Sequence, residues 1–179
     1  DGPPSAERLP PLPGHRSRQS SLGGPGEDRH CKVCHILMPL RTKHCLDCGR
    51  CVRTHDHHCP WIGNCVGESN RMFFFWFVAA QCAETCWVFW QGAECAMTRR
   101  PASQAPPSGW FLAGMLVIAM LAFSLVCLVI CHLWLMAANL TTWEYLRWRR
   151  IYYLQTLPAE GGSPFSASLL GNLEVYCCS

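Results

Sequence analysis

The decisive stretch reads Cys31-Lys-Val-Cys34, nine residues, His44-Cys45-Leu-Asp-Cys48-Gly-Arg-Cys51, then Val-Arg-Thr-His55-Asp56-His57-His58-Cys59-Pro-Trp61-Ile-Gly-Asn-Cys65. Seven of the chain's 14 cysteines lie in it: Cys31, Cys34, Cys45, Cys48, Cys51, Cys59 and Cys65. So do five of its 8 histidines: His35, His44, His55, His57 and His58. Large apolar side chains are few here, so no conventional core can form. Short hairpins and loops over 31–71 are expected, folded by metal, whose binding in zinc-finger peptides is worth roughly 10–16 kcal/mol. Paired Cys-x-x-Cys spacings with histidines among them suit zinc better than the disulfide frameworks of small secreted domains. Zinc thiolates imply a reducing side, which places the block in the cytosol.

Outward from this block the chain changes character twice. Residues 1–30 are rich in Pro, Gly and Ser and are expected to be a disordered, solvated leader. A Pro-x-x-Pro at Pro10–Pro13 offers the alternative of a polyproline ligand. The chain opens on Asp1 without a secretory signal, as expected of a fragment or a processed chain. Half of all residues are hydrophobic and 15% are charged, but the apolar residues concentrate after the block. A membrane helix is expected over 72–97, whose apolar run at 72–92 spans about 30 Å. A polar loop follows at 98–109. A second helix is expected over 110–138, a run without Asp, Glu, Lys or Arg. Lys and Arg are more numerous outside this helix pair than in its loop, which holds only Arg99 and Arg100. The positive-inside rule therefore puts the block and residues 139–179 in the cytosol. The fold class expected is a mostly α membrane protein with two transmembrane helices and a small zinc domain. The formal charge of +3 is modest and no aromatic-basic platform repeats, so nucleic acid is excluded as a partner. His132, near the end of the second run, is expected to be interfacial. Cys177 and Cys178 are expected S-acylation sites.

Ligand counting sharpens the chemistry. Seven thiols with His44, His57 and His58 make ten candidates, and two tetrahedral sites need eight. Two side chains are left over. His57 and His58 are adjacent, so their rings leave the backbone in different directions. If His58 binds metal, His57 is free, with Asp56 to orient it and Cys59 two residues on. A thiol beside an oriented imidazole is an activated nucleophile. The other reading keeps all ten residues as ligands or spares in a purely structural finger.

The pattern C-x2-C-x9-H-C-x2-C-x2-C-x4-D-H-H-C-x5-C-x4-N-x3-F, from Cys31 through Asn70 to Phe74, resembles the cysteine-rich domain of the DHHC protein S-acyltransferases, or palmitoyltransferases. Thr141-Thr142-Trp143-Glu144 resembles the family's TTxE motif. Ser163-Pro164-Phe165 with Asn172 and Tyr176 loosely resembles its C-terminal motif. The resemblance implies two zinc ions, one on Cys31, Cys34, His44 and Cys51, the other on Cys45, Cys48, His58 and Cys65. It implies that Cys59 attacks a long-chain acyl-CoA such as palmitoyl-CoA, with His57 as base and Asp56 orienting it. The acyl group then passes to cysteines of membrane-associated proteins. The alternative is a catalytically idle zinc-binding adaptor at the bilayer. Trp61, Phe74, Phe77 and Glu84 are expected near the acyl chain, with Glu84 at the cavity floor. Arg41 and Lys43 are expected near the CoA phosphates. Family members usually carry four membrane helices, two of them before the cysteine block, and mostly reside in the Golgi and endoplasmic reticulum.

Overall fold

The computed structural model of the chain describes residues 30–98, 108–157 and 163–177. The leader expected over 1–30, apart from His30, and most of the expected 98–109 loop lie outside the described residues. The described part combines a small domain of hairpins, two long helices and a run of short C-terminal helices.

The cysteine-rich block forms three antiparallel hairpins. They pair β1 (His30–Cys31) with β2 (Ile36–Leu37), β3 (Lys43–Cys45) with β4 (Arg50–Val52), and β5 (His57–Cys59) with β6 (Asn64–Val66). Corresponding strands start 13 or 14 residues apart, and the sequence beneath them repeats. His30-Cys31-x2-Cys34-x2-Leu37 becomes His44-Cys45-x2-Cys48-x2-Cys51 and then His58-Cys59-x2-Ile62-x2-Cys65. The backbone repeats too. His35, Gly49 and Gly63 hold the same place in the three turns, with φ of 53°, 62° and 59°. Glycine takes this left-handed conformation without steric cost, whereas His35 must be held in it.

Two helices leave this domain. α1 (Arg71–Thr98) and α2 (Gly109–Ala137) pack on each other and are long and apolar enough to cross a membrane, with hydropathy of 1.4 and 2.8. Most of their apolar side chains stay exposed within the chain, as expected of faces that meet lipid or other helices. Asn70 makes the join rigid: its Oδ1 accepts from Gly67 N at 2.9 Å and its Nδ2 donates to Cys65 O at 3.0 Å. At the other end Ser108 caps α2, its hydroxyl accepting from Phe111 N.

After α2, over the residues expected to be cytosolic, the chain folds back on itself. α3 (Thr142–Arg147), α4 (Tyr152–Thr156) and α5 (Leu169–Cys177) form there, and Ile151, Leu154 and Tyr176 are buried among them. α5 packs on both long helices, and Tyr176 contacts Phe75 and Met136. Asn172 closes this corner by donating to Ala137 O at 2.7 Å and accepting from Ala167 N at 2.8 Å.

Candidate active site and metal centres

The hairpin register places the metal ligands. His44 lies opposite Cys51, and His58 opposite Cys65. Each of these pairs meets the Cys-x-x-Cys turn of the preceding hairpin, so the two sites interleave. Cys31, Cys34, His44 and Cys51 bring their ligand atoms within 4.8 Å of one another, as do Cys45, Cys48, His58 and Cys65. His44 Nδ1 is 3.5, 3.3 and 3.7 Å from the three thiols of its site. His58 Nδ1 is 3.7, 3.4 and 3.7 Å from those of the other. A tetrahedral zinc with Zn–S near 2.3 Å and Zn–N near 2.0 Å has N···S edges of about 3.5 Å. The donor sets therefore fit zinc in size as well as chemistry. Burial and the neighbouring thiols push Cys51 and Cys65 up to about 12, so a bound cation is what lets all three thiols of a site ionise.

Strand alternation gives a physical reason for separating the two histidines that spacing alone left open. In β5, His58 turns towards the thiols of Cys45, Cys48 and Cys65, so His57 and Cys59 share the opposite face. His57 Nδ1 is bonded to Asp56 Oδ1 at 2.6 Å, which fixes the ring and leaves Nε2 turned away from the carboxylate. The second oxygen of Asp56 accepts from Thr142 N at 2.9 Å. Burial works to raise the Asp56 carboxyl, but the bonds from His57 and Thr142 outweigh it and hold it below the usual range. Cys59 is buried and packs with Val66 and with Phe74 and Val78 of α1, while Leu125 and Val129 of α2 close over this cluster. The thiol thus packs against apolar side chains of both long helices.

A polar clasp holds α3 in place beneath Asp56. Glu144, fully buried, takes Arg41 Nε and Nη2 in a two-point ion pair, each bond 2.8 Å long. It also accepts from Tyr153 Oη at 3.0 Å and from Thr141 N at 2.9 Å. Thr141 Oγ1 in turn accepts a capping bond from Glu144 N, which starts α3 where Thr142 N meets Asp56. Arg41 binds Asn139 as well, and Asn139 reaches on to Phe165 O.

The clasp engages Arg41, expected near the CoA phosphates, with Glu144 and Asn139. Lys43 stays at the rim, stacked over Trp143 at 5.4 Å. Beside it lies a groove of about 230 Å³ lined by Lys43, Asp56, His57, Trp143 and Arg147. Phe74 lies 5.2 Å from the His57 ring, whereas Phe77 is 52% exposed and Trp61 93% exposed, outside the cluster around Cys59. Glu84 is bonded to Gln81 within α1 at 2.8 Å. Cys177 is exposed at the end of α5; Cys178 lies outside the described residues.

Sequence reading missed His132. It is buried within the chain, and its ring stands 6.4 Å from His57 and 5.5 Å from Phe74. The signal for it was a polar ring in a run without charge, which in a membrane helix marks function by default. Also missed was the three-fold repeat, in which Cys59 aligns with the ligands Cys31 and Cys45 but lacks their second cysteine.

Two interleaved zinc-type sites beside the Asp56-His57-His58-Cys59 run and a pair of membrane-length helices define a zinc-finger protein of the membrane class. Residues 25–149 match the family described as DHHC palmitoyltransferase, and the chain belongs to that family. It is 38% identical over 151 residues to human "Palmitoyltransferase ZDHHC12", covering 84% of this chain and 55% of the relative. It is 38% identical over 158 residues to zebrafish "Palmitoyltransferase ZDHHC12-A", with coverages of 85% and 56%. To the mouse "Palmitoyltransferase ZDHHC12" it is 36% identical over 160 residues, with coverages of 84% and 55%. The chain thus spans about half the length of the curated relatives it matches.

Proposed function

We propose that this chain carries the reaction centre of a protein S-palmitoyltransferase. The observation that carries this reading is the Asp56–His57 bond beside a buried Cys59 packed against apolar side chains of both long helices. His57 takes the Cys59 proton on its Nε2, and Asp56 holds the ring and supports the imidazolium. The Cys59 thiolate adds to the thioester carbon of a long-chain acyl-CoA. Collapse breaks the carbon–sulfur bond to CoA, and CoA leaves as its thiol with the proton from His57. A cysteine of a membrane-associated protein then attacks the Cys59 thioester in the same way, so a thioester is exchanged for a thioester at little net cost. Zinc, when bound at the two sites, fixes the hairpins that present Asp56, His57 and Cys59.

Position supports the donor. Each buried CH₂ of an acyl chain contributes about 0.8 kcal/mol, so a nucleophile at the membrane surface meets the thioester with its tail in the bilayer. Phe74, Val78, Leu125 and Val129 line the start of that path. Trp61, exposed on the turn after Cys59, offers a further apolar surface. Lys43 and Arg147 flank the groove beside His57 and suit the CoA phosphates. Glu84, about 18 Å along α1 from Met72, marks the depth at which the acyl path ends. An unchanged acyl-chain profile in Glu84→Ala would remove it from that role. The hairpin domain and α3–α5 face the cytosol, in membranes of the Golgi or endoplasmic reticulum, as the resemblance implies.

The test is labelling of the full-length protein with an alkynyl fatty acid. Hydroxylamine-labile label is expected on the wild type and none on Cys59→Ser. Label that persists in the mutant, or is missing from the wild type, sinks the reading.

A further inference from the structure

Asp56 orients the base His57, and an apolar cluster packs on Cys59, but no hydrogen bond from a described side chain reaches the thiol, and the charge that develops on the acyl oxygen needs a donor. Addition of a thiolate to a thioester puts a full negative charge on that oxygen, in a place walled by Phe74, Val78, Leu125 and Val129. An uncompensated charge there is costly, and preorganised donors aimed at such an oxyanion are worth about 10²–10³ in rate.

His132 is placed to meet it. Along α2, Leu125, Val129 and His132 follow at i, i+4 and i+7 and therefore share the face that covers Cys59. The His132 ring completes a triangle with His57 and Phe74, its centroid 6.4 and 5.5 Å from theirs, and His57 and Phe74 5.2 Å apart. It is 5% exposed, and its ring contacts among the described residues are with His57 and Phe74. Neither of its ring nitrogens is among the side-chain atoms that are both fully buried and unpartnered, so the ring keeps an edge that a ligand can meet. A neutral imidazole always carries one N–H to give.

We propose that His132 is the oxyanion donor of this site, its ring N–H bonding the acyl carbonyl oxygen at Cys59; the inference rests on the acyltransferase reading above. When Cys59 Sγ adds to the carbonyl carbon, the carbonyl electron pair moves to oxygen and the His132 N–H bonds to it. On collapse the pair returns, the carbon–sulfur bond to CoA breaks, and CoA takes the proton held by His57. The second transfer passes through the same oxygen position, so His132 serves both steps equally.

The test compares His132→Gln with His132→Met in the full-length protein. The two side chains are similar in size, and only Gln keeps an N–H. Self-acylation with palmitoyl-CoA, transfer to a cysteine peptide and zinc per chain are measured together. The Met variant is expected to slow both steps about 10²–10³-fold, with KM for palmitoyl-CoA about unchanged and both zinc ions retained. Gln is expected to recover about tenfold or more of that loss. Equal rates in Gln and Met overturn the proposal, as does a Met variant whose rates match the wild type. A Met variant that loses zinc assigns the ring to packing and overturns it too. Failure of the wild type to acylate, or acylation that survives Cys59→Ser, is a different result and strikes the acyltransferase reading instead.

Discussion

His44-Cys45-x2-Cys48-Gly49-x-Cys51 and His58-Cys59-x2-Ile62-Gly63-x-Cys65 occupy the second and third hairpins with the same pairing, His44 opposite Cys51 and His58 opposite Cys65. Both turns pass through a glycine at nearly the same positive φ. They part at one position. Where the second hairpin has Cys48, the third has Ile62, and the chain runs on into α1 instead of a fourth hairpin that would complete a site. Cys45 therefore shares a metal site, and Cys59 does not. A thiol that zinc holds is spent as a nucleophile, so the position made free in the third repeat is the one at which reaction is possible. The strand then supplies the rest, because alternation turns His57 to the same side.

Serine at the two equivalent cysteines breaks the comparison in opposite ways. Cys45→Ser is expected to drop zinc from two ions per chain to one and to unfold the block, since metal affinity is its folding energy. Cys59→Ser is expected to keep both ions and lose all hydroxylamine-labile label. Metal content and labelling measured on the same samples check both; loss of zinc in Cys59→Ser would mean the third hairpin is a ligand hairpin after all. Next in size is Asp56→Asn, which leaves the hairpin intact but removes the partner that orients His57. Self-acylation is expected to fall about 10²–10⁴-fold at unchanged zinc content.

Arg41→Met tests what holds the third hairpin against α3. It leaves Glu144 fully buried without its cation, a change that costs about 3–5 kcal/mol, and a large fall in thermal midpoint is expected. Activity is expected to fall with it, because Glu144 starts α3 at the residue that bonds Asp56. The double variant Arg41→Met, Glu144→Met is expected to regain much of the stability and little of the activity. Recovery of both would show that the clasp has no part in positioning Asp56.

Legibility followed the range of the interactions. Spacing made a pool of ten metal-ligand candidates readable, the family resemblance sorted eight of them into two sets, and the long helices were readable because their apolar runs are local. The choice between His57 and His58 came from that resemblance; spacing alone left it open, because the sequence of a metal-folded hairpin does not announce the strand that turns the two rings apart. The roles of Arg41, Asn139, Asn172 and His132 were beyond reach for a different reason. Each depends on contacts between segments far apart in the chain, such as Arg41 with Glu144 or His57 with His132. Arg41 read as a surface cation because a motif-rich stretch gives no hint that a glutamate 103 residues away will bury it.

The smallest expected effect comes from restoring the missing cysteine. Ile62→Cys gives the third hairpin the Cys-x-x-Cys turn of the other two, on a backbone that already matches theirs. In the second hairpin that turn holds its two thiols within 4.8 Å of each other and of their site partners. Two thiols alone do not make a tetrahedral site, and the positions that would supply the other ligands in a further repeat are Met72 and Ala79. Zinc content is therefore expected to stay at two ions, and self-acylation under reducing conditions to stay close to that of the wild type. What changes is redox behaviour. Oxidised glutathione is expected to take two electrons from the Cys59 thiol and the thiol introduced at position 62, closing a disulfide between them and stopping acylation, and dithiothreitol to restore it. Wild type, whose Cys59 has no such neighbour, is expected to resist the same treatment. A third zinc in Ile62→Cys would show that two thiols of one turn recruit metal unaided. No added sensitivity to oxidant would show that the third turn, starting at Pro60, departs from the geometry of the second. Either result locates what separates a ligand hairpin from a reactive one more narrowly than the loss of a single cysteine does.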